Sequence, residues 1–173
     1  MTFHQKARAL FILIISSWMP MTAQQSSFKK EFLKKWKNAT TYTLEVAEKM
    51  PASKYGYRPN EGMRTFGEQM EHIGYAMTYL SMNAIHSKEI PYQGNLTDKD
   101  ALIDYLKKQF EIVRVAVEKM DSTDFEKTVS FWAGRMTRRK ILNIAFDHTT
   151  HTRAQAIVYL RSQDIKPPQY IAW

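Results

Sequence analysis

The chain has 173 residues, 44% of them hydrophobic and 24% charged, which suits one globular domain with a sizeable core. It has no cysteine, so disulfides, zinc ribbons and thiol nucleophiles are excluded, and any metal must be held by His, Asp, Glu or weaker oxygen ligands. The net charge of +8 is moderately basic, which favours anionic substrates or a membrane surface, or simply solubility.

In chain order, Lys6 and Arg8 precede the apolar run Ala9 to Trp18, and MPMTAQQSS follows. This is the basic, apolar and small-residue order of a secretory leader, with cleavage expected after Ala23. The domain organisation read from the sequence is therefore a signal peptide over residues 1–23 and a mature domain over 24–173. The protein is expected to be exported, to the periplasm or beyond. The alternative is an uncleaved membrane anchor, although the run is shorter than the ~20 residues of a membrane span.

The first helix is predicted from about Ser27 to Met50. Phe28, Phe32, Leu33, Trp36, Ala39, Leu44, Val46 and Ala47 keep helical spacing, and Pro51 stops it. The segment PASKYGYRPNEGM is a loop. A second helix starts at Thr65, which with Glu68 has the spacing of a capping box, and continues to about His86. Thr97 or Asp98 opens a third, with Leu102, Tyr105, Leu106, Phe110, Val113 and Val117 on one face, ending near Met120. An irregular connection follows, with a short extended piece expected around Val129 to Trp132. The fourth helix runs from about Thr137 to Ser162, and Lys166–Pro168 rules out more helix. The aromatic tail QYIAW is expected to pack back on the rest. Four amphipathic helices with loops of moderate length predict an all-α fold, a four-helix bundle.

The polar residues on the inward faces carry the chemistry. His148 can share a site with His151 or with position 152, three and four residues on along one face. Position 152 is the better-placed partner and holds threonine. A third donor must come from another helix, and His72, mid-helix among Met70, Ile73 and Met77, is the candidate. Taken singly, His72 and His148 read better as satisfied core histidines, and His151 as solvent-facing. Glu68 could orient His72 or serve as its co-ligand, but the capping box takes precedence. Tyr75 and Tyr79 line either a pocket or the core. The basic cluster Arg135–Lys140 is short and lies in no nucleic-acid-binding motif, so no nucleic-acid partner is expected.

Two stretches together resemble a known family. Lys54–Ala76, KYGYRPNEGMRTFGEQMEHIGYA, is similar to the DinB-like superfamily of damage-inducible, YfiT-like metalloenzymes. There a Tyr-Arg-Pro segment leads into a helix bearing a metal-ligating histidine, matched by Tyr57, Arg58, Pro59 and His72. His148–Gln155, HTTHTRAQ, resembles the family's His-x-x-x-His-Arg-Gly-Gln at His148, Arg153 and Gln155, with Ala154 for the glycine. The resemblance spans essentially the whole mature chain. It implies a DinB/YfiT-like four-helix bundle and a divalent metal, nickel or zinc, held by three histidines. It also implies an enzyme acting on a small-molecule substrate by group transfer, in some relatives with a low-molecular-weight thiol, or by hydrolysis. A homodimer is a further option for assembly. The departure is Thr152 at the third ligand position, where His151, adjacent, is the candidate replacement. The expected metal set is His72, His148 and His151. The competing expectation is a non-catalytic ligand-binding bundle that has lost its metal because of Thr152.

Overall fold

Residues 20–88 and 90–171 are described in a computed structural model, with side chains from Phe28 onward. Residues 1–19, most of the expected leader, lie outside the described residues, as do Glu89, Ala172 and Trp173.

Among the described residues, four long helices form a bundle: α1 (Pro20–Lys49), α2 (Phe66–Ile85), α3 (Lys99–Lys119) and α4 (Arg138–Arg161). A 3-10 turn at Ala52–Lys54 lies between α1 and α2. A second, at Ser122–Glu126, precedes a two-stranded hairpin, β1 (Thr128–Val129) and β2 (Met136–Thr137). The strands run antiparallel, with Thr128 opposite Thr137 and Val129 opposite Met136. The extended piece is therefore shorter than expected and begins a residue earlier. Phe131 and Trp132 belong to the turn between the strands, where Trp132 is 74% exposed.

The helix starts follow from local chemistry. The Thr65 hydroxyl accepts from Glu68 N–H at 3.2 Å while the Glu68 carboxylate accepts from Thr65 N–H at 2.5 Å, so the capping box closes at both ends. Asp98 caps α3 through Ala101 N–H, and Thr137 caps α4 through Lys140 N–H. α2 ends at Ile85, and His86 takes a left-handed C-cap with φ of 52°. α1 extends seven residues earlier than the sequence pattern predicts, to Pro20.

Around the bundle the order is α1, α3, α2, α4. The broadest interface joins α2 to α4, followed by α2 to α3, α1 to α3 and α1 to α4. Thus α1 lies diagonal to α2, and α3 diagonal to α4. Both diagonal steps use long connections, residues 50–65 and 120–137. Trp36, 1% exposed, joins α1 to α3, its indole N–H donating to the Phe110 carbonyl at 3.1 Å. Its ring stacks on Phe32 at 5.4 Å and meets Phe110 and Phe146. The tail returns to the bundle: Ile171 packs against the core, and Tyr170 meets Tyr42 edge-on at 6.0 Å.

Two glycines set how closely α2 approaches its neighbours. A Cβ on Gly67 would fall 1.8 Å from the Leu96 carbonyl oxygen, and one on Gly74 would fall 2.5 Å from the Tyr105 ring. Backbone cannot yield as a flexible side chain can. Gly67→Ala should therefore cost about 2 kcal/mol or more in urea unfolding. Gly62→Ala, whose Cβ would meet nothing nearer than an Asn60 side-chain oxygen at 3.8 Å, should change stability little. Equal stability of the two variants would contradict the close approach.

Candidate functional site

The α2–α4 interface brings polar residues of both helices together. α2 contributes Gln69 and His72, three residues apart on one face; α4 contributes His148, Thr152 and Gln155. Gln69 is only 2% exposed. Its amide N–H groups donate to the Gln155 side-chain oxygen at 2.7 Å and to the Thr152 carbonyl at 3.2 Å. This clamp fixes the register of the two helices one turn from the histidines.

His72 and His148 face each other. Their Nε2 atoms are 3.3 Å apart, and the rings are nearly perpendicular with centroids at 5.3 Å. Both side chains are partly buried. Burial is the main cause that lowers both pKa values. His72 is brought down to about 4, with Arg64 and His148 adding to the effect. For His148, His151 and Arg64 are the further causes. Both imidazoles are therefore neutral at pH 7, and one Nε2 must carry its hydrogen while the other offers a lone pair.

Thr152 occupies the position beside them. It is 1% exposed, and its hydroxyl oxygen lies 3.4 Å from His148 Nε2. The hydroxyl hydrogen is directed to the His148 backbone carbonyl at 2.9 Å. His151 is placed differently. It is exposed, its ring centroid is 6.5 Å from that of His148, and its Nε2 lies 3.1 Å from the Gln155 amide nitrogen. With the Gln155 oxygen already accepting from Gln69, that amide donates to His151. The structure thus brings His72, His148 and Thr152 together and leaves His151 at the rim.

Two imidazoles fit one divalent ion. Nitrogens each about 2.1 Å from a common centre stand roughly 3.0–3.4 Å apart at octahedral to tetrahedral angles, and the observed 3.3 Å lies within that range. A third nitrogen does not join them. Among the described residues no group of three or more His, Cys, Asp or Glu side chains is placed to hold a metal ion. Glu68 is committed to the cap, with Arg58 Nη2 3.9 Å from its carboxylate. That backbone hydrogen bond is the main reason its pKa is lowered.

Sequence reasoning missed Gln69 and Arg64. Gln69 was legible as a lone amide three residues before His72 among apolar neighbours. Arg64 lies in the loop before α2, where no periodicity marks it. It is held by its own backbone, whose carbonyl accepts from the Tyr159 hydroxyl at 2.8 Å. Glu71, beside His72, has its carboxyl pKa raised by burial, with Arg64 opposing the rise.

The His72 shift predicts an acid-sensitive fold. A histidine with a folded pKa below its unfolded value takes up protons more readily when unfolded. Its full contribution is present above pH 6.5 and is lost as pH falls toward about 4. In chelator-treated protein, urea unfolding should lose on the order of 2 kcal/mol across that window. His72→Gln should flatten the profile, and an unchanged slope in that variant would place the proton uptake elsewhere.

Comparison with known proteins bears on the family and the fold. The model of the DinB superfamily matches residues 35–156. The uncharacterized protein YjoA of Bacillus subtilis is 26% identical over 124 residues, covering 69% of this chain and 80% of that protein. The crystal structure of YjoA, a DinB-like protein, superposes with a TM-score of 0.68 at 21% identity, over 81% of this chain and 96% of that one. A DinB-like protein from Bacillus cereus gives a TM-score of 0.71 at 18% identity, over 82% and 97%. With the family model spanning most of the bundle, the chain belongs to the DinB superfamily.

Proposed function

We propose that this protein is a divalent-metal-dependent enzyme acting on a small molecule by group transfer or hydrolysis, with His72 and His148 as its imidazole ligands. The observation that carries the reading is the 3.3 Å approach of two neutral Nε2 atoms. Nickel or zinc would be the ion, since both favour imidazole. Bound there, it would act as a Lewis acid and lower the pKa of a bound water or thiol. The chain itself supplies the rest. Gln69 and Gln155 hold the two helices in register so that both imidazoles converge. Burial keeps the rings neutral, so that each would offer an Nε2 lone pair to the ion with its hydrogen on Nδ1. Thr152 places a hydroxyl, rather than a third nitrogen, at the remaining position. This leaves coordination open for substrate and weakens the hold on the ion.

A second reading has its own support. The Thr152 hydroxyl is already directed to the His148 carbonyl, so the same bundle also suits a non-catalytic small-ligand binder without metal. Elemental analysis of the purified full chain separates the two. Bound nickel or zinc is expected, lost in His72→Ala and His148→Ala and kept in His151→Ala. Metal-free parent protein that stays metal-free on titration would favour the binder. Thr152→His should tighten zinc binding by about tenfold or more in isothermal titration, since it adds an imidazole four residues from His148. No gain would remove position 152 from the site.

We also propose export, on the strength of Lys6, Arg8 and the apolar run before Ala23. Mass spectrometry of the protein from its native cell envelope should find a mature start near Gln24.

A further inference from the structure

The side of α4 that faces away from the histidines carries an unexplained charge. Arg153 is 4% exposed, which is rare for an arginine without a carboxylate partner. No carboxylate of the described residues forms an ion pair with it. Its Nη1 donates to the Ala39 carbonyl and the Thr43 hydroxyl, both at a long 3.4 Å. The guanidinium lies over the Tyr42 ring, 4.7 Å from its centroid. The Nε and Nη2 donors make no hydrogen bond among the described residues, and neither is sealed from solvent. Burial draws the Arg153 pKa down, opposed only by Tyr42 and Tyr170. A largely buried guanidinium whose two remaining donors open toward solvent offers a place for an anion.

A cavity of about 390 Å3 opens at this position, with Tyr42, Ala154, Ile157, Arg161, Pro168 and Tyr170 among its walls. Its size is that of a small-molecule site. The free Nε–Nη2 edge presents two parallel donors, the spacing that matches a planar carboxylate. Arg161, exposed at the end of α4, adds a second positive charge. The aromatic and proline walls suit a flat apolar body.

We infer that this cavity between α1, α4 and the C-terminal tail binds a small carboxylate carried on an apolar ring, with Arg153 as the anchor. The carboxylate pairs side-on with Nε and Nη2, and the ring lies against Pro168 and the outer side of Tyr170. The site is separate from the His72–His148 pair, because positions 150, 154, 157 and 161 turn to the opposite side of α4 from 148, 152 and 155.

Benzoate titrated into the full chain, followed by protein NMR, tests this. A Kd of about 1 mM is expected for so small a probe. Benzyl alcohol, of the same shape without the charge, should bind about tenfold more weakly or not at all. Arg153→Lys keeps the charge and loses the fork, and should weaken benzoate about tenfold. Because position 153 is buried, Ala154→Trp provides an independent arm. It fills the cavity from an exposed helix position and should abolish binding. His148→Ala should leave benzoate affinity unchanged. The inference is overturned if benzoate does not bind or binds no better than benzyl alcohol. It is equally overturned if inorganic phosphate displaces benzoate at equal concentration, or if Ala154→Trp binds it like the parent.

Discussion

The site depends on one buried amide. Gln69 is almost wholly buried, and both hydrogen bonds that its amide nitrogen donates go to α4. A slip of one residue along α4 would strand a buried donor, at a penalty of about 1–3 kcal/mol. Apolar side chains of the core, such as Met70, Ile73 and Ala156, tolerate small shifts much better. Directional bonds therefore set the register, while hydrophobic burial supplies most of the attraction. His72 lies one turn beyond Gln69 and His148 one turn before Thr152, so the same register sets the distance between the imidazoles.

The bundle itself was legible in the sequence because its cues are local. The Thr65–Glu68 pair, the apolar stripe of α3 and Pro51 each act over a few residues, and each has the consequence its chemistry dictates. The partnership of His72 with His148 was also legible, since both interrupt apolar faces. The rim position of His151 was not. Spacing allows a residue at i+3 to share a face with His148, but which way its ring turns depends on what else offers a bond. Gln155 offers one, and its own orientation depends on Gln69, 86 residues away. Side-chain choices that pass through a third residue leave no periodic trace.

Thr152 illustrates how a buried polar side chain can be satisfied within its own helix. A threonine within a helix can return its hydroxyl to the carbonyl four residues earlier, and Thr40, Thr43, Thr149 and Thr152 all do so. The hydroxyl is then satisfied without any partner from α2. An imidazole at this position could not reach its own helix backbone in that way and would depend on a partner across the interface. The bundle thus accommodates threonine without an orphaned polar atom, even though the chemistry available at the histidine pair changes.

The diagonal placement of consecutive helices has a consequence for how the chain reaches its native state. α1 and α2 share little surface, so a nascent chain ending after α2 has no helical hairpin to form. α3 is the first helix that can join α1 to α2, and the α2–α4 interface waits for the last helix. The His72–His148 contact closes a separation of 76 residues. Contacts of such length slow folding relative to a bundle built from adjacent hairpins, because chain entropy is surrendered before the contacts compensate for it. The amide clamp and the histidine pair are thus late features of folding, formed only when nearly all of the chain has been synthesised.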